Sequence, residues 1–211
     1  MKLRFAAALG VTASLVALGY ALWIMSEGLD VFGSLPSRQT WLLEHRRAWD
    51  VGLWLWLLAI FAWMLLHVTL IWSYLPAHRI ATMLQSGLLI IAAGLGVGGV
   101  VVWMAVLPAA MTTAIASEVV RLVDTLALGF MGAALFMGGV VTAWQAYDLA
   151  KLGFLPVAWV VPPMLAGLVI VPSPFLLPGG WHIAAAVIVW GGWCLFVVSR
   201  RAIPSAYAEW T

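Results

Sequence analysis

The densest group of side chains that could do chemistry in this sequence is a run of three charged residues, Glu118, Arg121 and Asp124. Their spacing of three places them within about a third of a helix circumference, where opposite charges can pair. Ionisable residues inside a membrane are costly and often mark a path for protons or substrates. The same residues at the end of a membrane helix form an interfacial ion pair. We expect the interfacial ion pair, with a buried functional site as the alternative.

Histidines are the other candidates, since imidazole is a common axial ligand of haem. His67 falls within a long apolar run, whereas His45 and His182 fall in or beside polar connections. We expect His67 to be buried and hydrogen-bonded to a neighbouring helix. A haem or pigment site using His67, His45 or His182 remains an alternative, so the cofactor is unknown at this point.

Familiar catalytic and nucleotide-binding motifs are missing from the sequence, including GxSxG, HExxH and the phosphate-binding loop. Cys194 is the only cysteine, which excludes an intrachain disulfide and a cysteine metal cluster. We therefore predict no catalytic residue and no metal site, and an enzyme is the least favoured class. No Lys/Arg cluster is dense enough to follow a phosphate backbone, so nucleic acid is not an expected partner.

The elements that position these residues follow from composition. Of 211 residues, 65% are hydrophobic and 9% are charged, against about half and a quarter in soluble domains. The apolar runs are continuous, which is typical of membrane helices, whereas barrel strands alternate apolar and polar residues. The run that starts at Phe5 continues through Trp23, so we interpret it as an uncleaved first span.

We predict an all-α, polytopic transmembrane bundle that forms a single integral membrane domain over residues 1–211. Six spans are expected, at about residues 5–26, 50–74, 84–107, 119–146, 154–172 and 181–199. The tight connection at 75–83 carries Arg79, while the connections at 108–117 and 173–180 are uncharged. The positive-inside rule then puts both termini in the cytoplasm, and we expect a bacterial cytoplasmic membrane.

The longest polar segment, residues 27–49, lies between the first and second spans. Its aromatic residues Trp41 and Trp49 share a helical face, and Arg46 and Arg47 lie on another. This spacing predicts an amphipathic helix in the interface, or an extension of the second span.

Small residues and prolines mark where helices approach or bend. Gly94 and Gly98 form a GxxxG pair in the third span, and Gly129 and Gly138 continue the theme in the fourth. We expect these glycines to pack helices within the chain, with a second subunit as the alternative. Pro162-Pro163 lies in the fifth span and predicts a kink or break there.

Three functions are compatible with this pattern. The first is a non-catalytic integral membrane subunit that packs against partner membrane proteins or against copies of itself, surrounded by the lipid bilayer. The alternative is a small permease, with a pathway between the fourth and fifth spans that uses the charged run and the proline pair. The third is a haem- or pigment-binding membrane protein.

Overall fold

A computed structural model describes residues 2–112, 116–153 and 155–200, and every regular element in that part of the chain is a helix. A π-helical turn, Val102–Val106, joins α5 to α6. The helices are α1 Lys2–Trp23, α2 Ser26–Leu29, α3 Leu35–Glu44, α4 Arg46–Tyr74, α5 Ile80–Val101, α6 Leu107–Ala110, α7 Ala116–Lys151, α8 Val157–Ile170, α9 Ser173–Leu176 and α10 Trp181–Ser199.

Five helical segments are long and apolar enough to cross a membrane: α1, α4, the α5–α6 segment, α7 and α10. They match five of the six predicted spans. The remaining predicted span begins at Phe154, which lies outside the described residues, and corresponds to α8. That helix has 14 residues, so it is about 21 Å long against a hydrocarbon core of about 30 Å. The apolar run is longer than the helix because the chain turns at Pro172.

Long helices pack side by side, α1 against α4 and α10, and α7 against α5 and α8. The Arg4 side chain donates to the backbone oxygen of Arg200, so the two ends of the described chain meet. We call this the N-terminal end of the bundle, and its buried cluster includes Leu3, Leu70 and Val197. A second buried cluster fills the opposite end, where α3 covers the start of α4 and α7.

Helix α3 occupies the place of the predicted amphipathic helix. Its Trp41 is buried in the cluster at the opposite end together with Trp49 of α4, while Arg46 and Arg47 are exposed. The Gln39 side chain donates to the backbone oxygen of Met111 at 2.7 Å. The apolar face of α3 therefore packs against other helices of the same chain.

The backbone of α7 approaches its neighbours closely at two places, one at a pair of glycines and one at a single glycine, and neither place involves Gly94, Gly98 or Gly129. A Cβ on Gly139 would lie 2.6 Å from the Gly167 oxygen of α8, and one on Gly99 would lie 2.8 Å from the Ala127 oxygen. Gly138 faces the Trp63 ring at 3.3 Å. Nothing lies within 4 Å of a Cβ built on Gly94, Gly98 or Gly129. The expectation that Gly94, Gly98 and Gly129 pack helices within this chain is therefore wrong, because the close contacts use other faces of α5 and α7.

The proline pair does not break α8, which continues from Val157 to Ile170 with Pro162 and Pro163 inside it. A proline at 163 has no N–H to give the carbonyl four residues earlier. That carbonyl, of Trp159, instead accepts the indole N–H of Trp193 at 2.6 Å. The missing backbone bond thus becomes a bond between α8 and α10. The predicted break is absent, and a kink at this pair stays a prediction.

Candidate functional site

A cavity of about 380 Å³ lies at the centre of the bundle, bounded by α1, α4, α5, α7, α8 and α10. This volume falls in the range of pockets that hold drug-sized ligands. Four tryptophans line it, Trp56, Trp63, Trp103 and Trp190, and nearly all the other lining side chains are aliphatic, alanine or glycine. No charged side chain is among the described residues of the wall. Such a site suits an apolar molecule.

Four of the six wall side chains that carry a hydroxyl or an indole N–H lie at one depth, and we call them the polar floor: Ser14, Trp63, Thr142 and Trp190; the other two are Trp56 and Trp103. Each residue of the floor lies roughly nine to twelve residues from the N-terminal end of the bundle along its own helix, or about 14–18 Å at 1.5 Å per residue. The floor therefore lies near the middle of the spanning length. From there the cavity extends towards Trp103 at the opposite end.

Trp190 is the member of the floor with an unused donor. Its side chain is 5% exposed and lines the cavity, and its indole nitrogen has no hydrogen-bond partner. The ring packs against α1 at Gly10, where an added Cβ would lie 2.8 Å from Trp190 Cη2. Glycine at position 10 thus makes room for the ring.

His67 lies beneath the floor in a closed hydrogen-bond network. Gln145 Nε2 donates to the His67 backbone oxygen at 3.0 Å, so its Oε1 accepts from His67 Nδ1. Nε2 is then the acceptor of the ring, and the Thr142 hydroxyl donates to it at 3.3 Å. Trp63 in turn donates to Thr142 Oγ1 at 3.4 Å. Both ring nitrogens are occupied, so a haem iron would have to displace Thr142 to bind here.

A buried ion pair lies beyond the cavity at the end opposite the polar floor, and Trp103 is the wall residue that contacts it. Asp124 of α7 is 3% exposed and binds the Arg38 guanidinium of α3 through two hydrogen bonds, of which Arg38 Nη2 to Oδ1 is 2.9 Å long. Arg38 Nε donates to the Gly28 oxygen at 2.7 Å. The indole of Trp103, a cavity residue on the π-helical turn, donates to Asp124 Oδ1 at 2.9 Å. This network locks α3 across the end of the bundle.

The structure separates the charged run predicted from the sequence. Asp124 is buried in an ion pair with Arg38, and Glu118 and Arg121 are exposed. Among the ion pairs of the described residues, none joins Arg121 to either acid. The three residues of the run therefore do not pair with one another, because Arg38 of α3 is the cation that reaches Asp124.

The two outer histidines do not form a common site with His67. His45 stacks on Trp41 with ring centroids 5.1 Å apart, and its Nδ1 lies 3.1 Å from the Trp41 oxygen. His182 Nε2 lies 2.9 Å from Ser173 Oγ. Within the described residues no three His, Cys, Asp or Glu side chains converge to hold a metal ion.

A second polar cluster lies at the N-terminal end of the bundle and was not predicted from the sequence. Gln85 Nε2 of α5 donates to Asp148 Oδ2 of α7 at 2.9 Å, and Arg79 Nη1 lies 3.7 Å from the same oxygen. Gln85 and Asp148 are both buried. Polar residues three apart on α7, namely Thr142, Gln145 and Asp148, were the signal that could have indicated this face.

Part of the cavity wall is also exposed on the outside of the bundle, at α1. Leu22 of α1 and Ile183 of α10 both line it, and Leu22 is also 51% exposed. Nearer the N-terminal end the same two helices are closed by the contact of Gly191 with Val11 and Leu15. A molecule dissolved in the lipid could therefore enter from the side.

Comparison with known proteins gave no matching family model, no matching curated relative and no matching solved structure. The chain is an all-helical bundle with several helices apolar enough to span a membrane. Its activity has to be inferred from the site alone.

Proposed function

We propose that this chain is an integral membrane protein that binds a lipid-soluble molecule in its central cavity, as a binding subunit with no catalytic step of its own. The supporting observation is the apolar cavity of about 380 Å³, lined by four tryptophans and reaching the lipid side beside Leu22. An ionic substrate would find no opposite charge on these walls, and a sugar would find too few hydrogen-bonding side chains for its hydroxyl groups.

The cavity is large enough for a bound molecule, and it is not a sealed void, because its wall is partly exposed beside Leu22. In a membrane, lipid chains can therefore fill it. Since lipid chains are as apolar as leucine, a specific ligand would displace them by closer packing and by hydrogen bonding.

The test is to purify the protein in a mild detergent, record native mass spectra and identify any bound molecule after solvent extraction. Ala59 lines the cavity, so Ala59→Phe fills part of it, and Ala185→Phe adds the same ring to an exposed position of α10 outside the wall. We expect the wild type and Ala185→Phe to carry the same bound molecule and Ala59→Phe to lose most of it. Equal occupancy in all three proteins would overturn the proposal.

For the topology, we propose six crossings with both termini in the cytoplasm of a bacterium, with α8 in the fifth crossing. The uncharged turn at Pro172–Gly180 and Arg79 at the opposite connection support this orientation. Reporter fusions at both termini test it, since a cytoplasmic reporter active at one end only would mean an odd number of crossings.

A second candidate is the partner-packing subunit, and it is supported by the face of α5 that carries Gly87, Gly94 and Gly98. Among the described residues, no atom outside the neighbouring backbone of α5 comes within 4 Å of a Cβ at these positions, so a helix of another chain could approach closely. Gly94→Leu should then release a co-purifying chain or dissociate an oligomer, and unchanged mass in detergent would count against it.

The permease and haem alternatives have less support. Helices α7 and α8 are in backbone contact at Gly139 and Gly167, which leaves no pathway between them at that level. The haem alternative would need a free ring nitrogen on His67, and both nitrogens have side-chain partners.

A further inference from the structure

We propose that the N-terminal end of the bundle binds anionic phospholipids, whose headgroups pair with the basic side chains on its perimeter. The partner is a membrane lipid with a net negative charge, for which phosphatidylglycerol is the probe. This inference concerns the outer surface of the protein and does not depend on the central cavity.

The charged side chains are divided unevenly between the two ends of the bundle. Among the described residues, the N-terminal end carries five cations and one acid, a net charge of +4, and the opposite end carries four cations and six acids, a net charge of −2. The N-terminal charges are Lys2, Arg4, Arg79, Lys151 and Arg200, with Asp148. The opposite charges are Arg38, Arg46, Arg47 and Arg121, with Glu27, Asp30, Glu44, Asp50, Glu118 and Asp124. Residues 201–211, outside the described part, contain one cation and one acid.

The single described acid of the N-terminal end does not shield the exposed cations. Asp148 is 4% exposed and accepts a hydrogen bond from Gln85 Nε2 at 2.9 Å, and its nearest cation is Arg79 at 3.7 Å. Lys2, Lys151 and Arg200 are exposed, and none of the ion pairs among the described residues includes them. Their charges therefore act on the surroundings of the protein.

Aromatic rings hold two of these cations on the perimeter of the bundle. Lys151 Nζ lies 5.6 Å from the ring centroid of Tyr147, a side chain that is 52% exposed, and Arg200 Cζ lies 4.3 Å from the ring centroid of Phe196. Both cations are at the ends of helices long and apolar enough to cross a membrane. Exposed aromatic residues at such helix ends are typical of the headgroup level. The ammonium of Lys151 and the guanidinium of Arg200 therefore lie where lipid phosphates are found.

The chemistry of the two partners is complementary. Ammonium and guanidinium groups only donate hydrogen bonds, and phosphate oxygens accept them with the added attraction of opposite charge. Each Lys or Arg near an anionic leaflet adds to this attraction. A zwitterionic phosphatidylcholine has no net charge and gains less. At the opposite end the acids outnumber the cations, so an anionic headgroup would be repelled there.

The experiment places the full chain in micelles that contain equal amounts of phosphatidylglycerol and phosphatidylcholine with the same acyl chains. Native mass spectrometry then counts the lipids of each kind that stay bound, at low and at high salt. Two triple variants each remove three exposed positive charges, so their net charges are equal. The N-terminal variant carries Lys2→Gln, Lys151→Gln and Arg200→Gln. The matched control at the opposite end carries Arg46→Gln, Arg47→Gln and Arg121→Gln.

We expect the wild type to retain phosphatidylglycerol over phosphatidylcholine by about fivefold at low salt, the factor that one basic residue near an anionic surface supplies. High salt should reduce this preference by screening. The N-terminal variant should bind the two lipids equally, and the control should keep the preference of the wild type. An equal loss in both variants would overturn the proposal, since net charge alone would then explain the binding. A wild type without any preference at low salt would also overturn it, and that result requires no variant to fold.

Discussion

A guanidinium buried among apolar side chains needs an acceptor for each donor it turns inward, and Arg38 finds them on two elements. Its Nη atoms bind Asp124, and its Nε binds the Gly28 oxygen. The Asp124 carboxylate accepts a further hydrogen bond from the Trp103 indole N–H. Because every member depends on the others, loss of one partner leaves a buried charge without compensation.

Arg38→Ala should therefore lower the free energy of unfolding by about 3–5 kcal/mol. The matched control is Arg46→Ala, which removes an ion pair with Asp50 whose side chains are 49% and 36% exposed; that loss should be about 0.5 kcal/mol or less. Unfolding in detergent followed by circular dichroism measures both. Equal losses would mean that the Arg38 pair is not buried in the membrane-bound protein.

At the scale of residues, the sequence indicated which side chains were candidates for polar contacts, but it did not indicate their partners on other helices. Asp124 was recognised as a polar candidate, and His67 as a buried histidine with a helix partner. The partners themselves, Arg38 and Gln145, lie 86 and 78 residues away. Spacing along one helix is visible in a sequence, whereas contacts between distant helices depend on how the bundle packs.

At the scale of elements, α7 is held to α8 by backbone proximity. Gly139→Ala should lower the free energy of unfolding by about 1–3 kcal/mol, because the added methyl would lie 2.6 Å from a backbone oxygen. The control, Gly94→Ala, adds a methyl to open space and should be neutral or stabilise by up to about 1 kcal/mol. If both substitutions behave alike in the same unfolding assay, the α7–α8 contact is not as described.

The bond from Trp193 to Trp159 gives a second test, now of the role of Pro163. Trp193→Phe should cost about 1–3 kcal/mol, since the buried Trp159 carbonyl loses its donor. In a Pro163→Ala background, residue 163 supplies an N–H to that carbonyl, and the cost should shrink. A double-mutant cycle measures the difference. Additive effects would show that the proline does not free this carbonyl.

Element prediction worked where length and apolar composition were sufficient. The five long helices follow from continuous apolar runs, and α3 follows from its amphipathic spacing. The short α8 did not, because apolar residues continue past its end into Pro172 and Pro174. Nor did the π-helical turn at Val102–Val106, since one extra residue in a turn leaves an apolar run unchanged.

At the scale of the whole molecule, the cavity is a consequence of small residues on several helices facing one another. The centre of the bundle is left unfilled because small residues line it, namely Ala17, Ala59, Gly96 and Ala134, and four tryptophans form the rest of the nearby wall. The sequence displayed these residues without indicating that they face one point. The polar floor lies at one end of this space and mainly apolar side chains line the rest of it, which suits an apolar molecule with one polar group.

The most direct test of ligand binding in the cavity is photolabelling in intact membranes with a diazirine-bearing alkyl ketone, followed by peptide mapping. Met131 lines the cavity, and Leu122 of the same helix is 60% exposed and outside the wall. We expect both to be labelled in the wild type, and Ala59→Phe to suppress labelling at Met131 while Leu122 is labelled as before. Labelling confined to Leu122 in the wild type, or unchanged at Met131 in Ala59→Phe, would contradict the proposal that the cavity binds a lipid-soluble molecule.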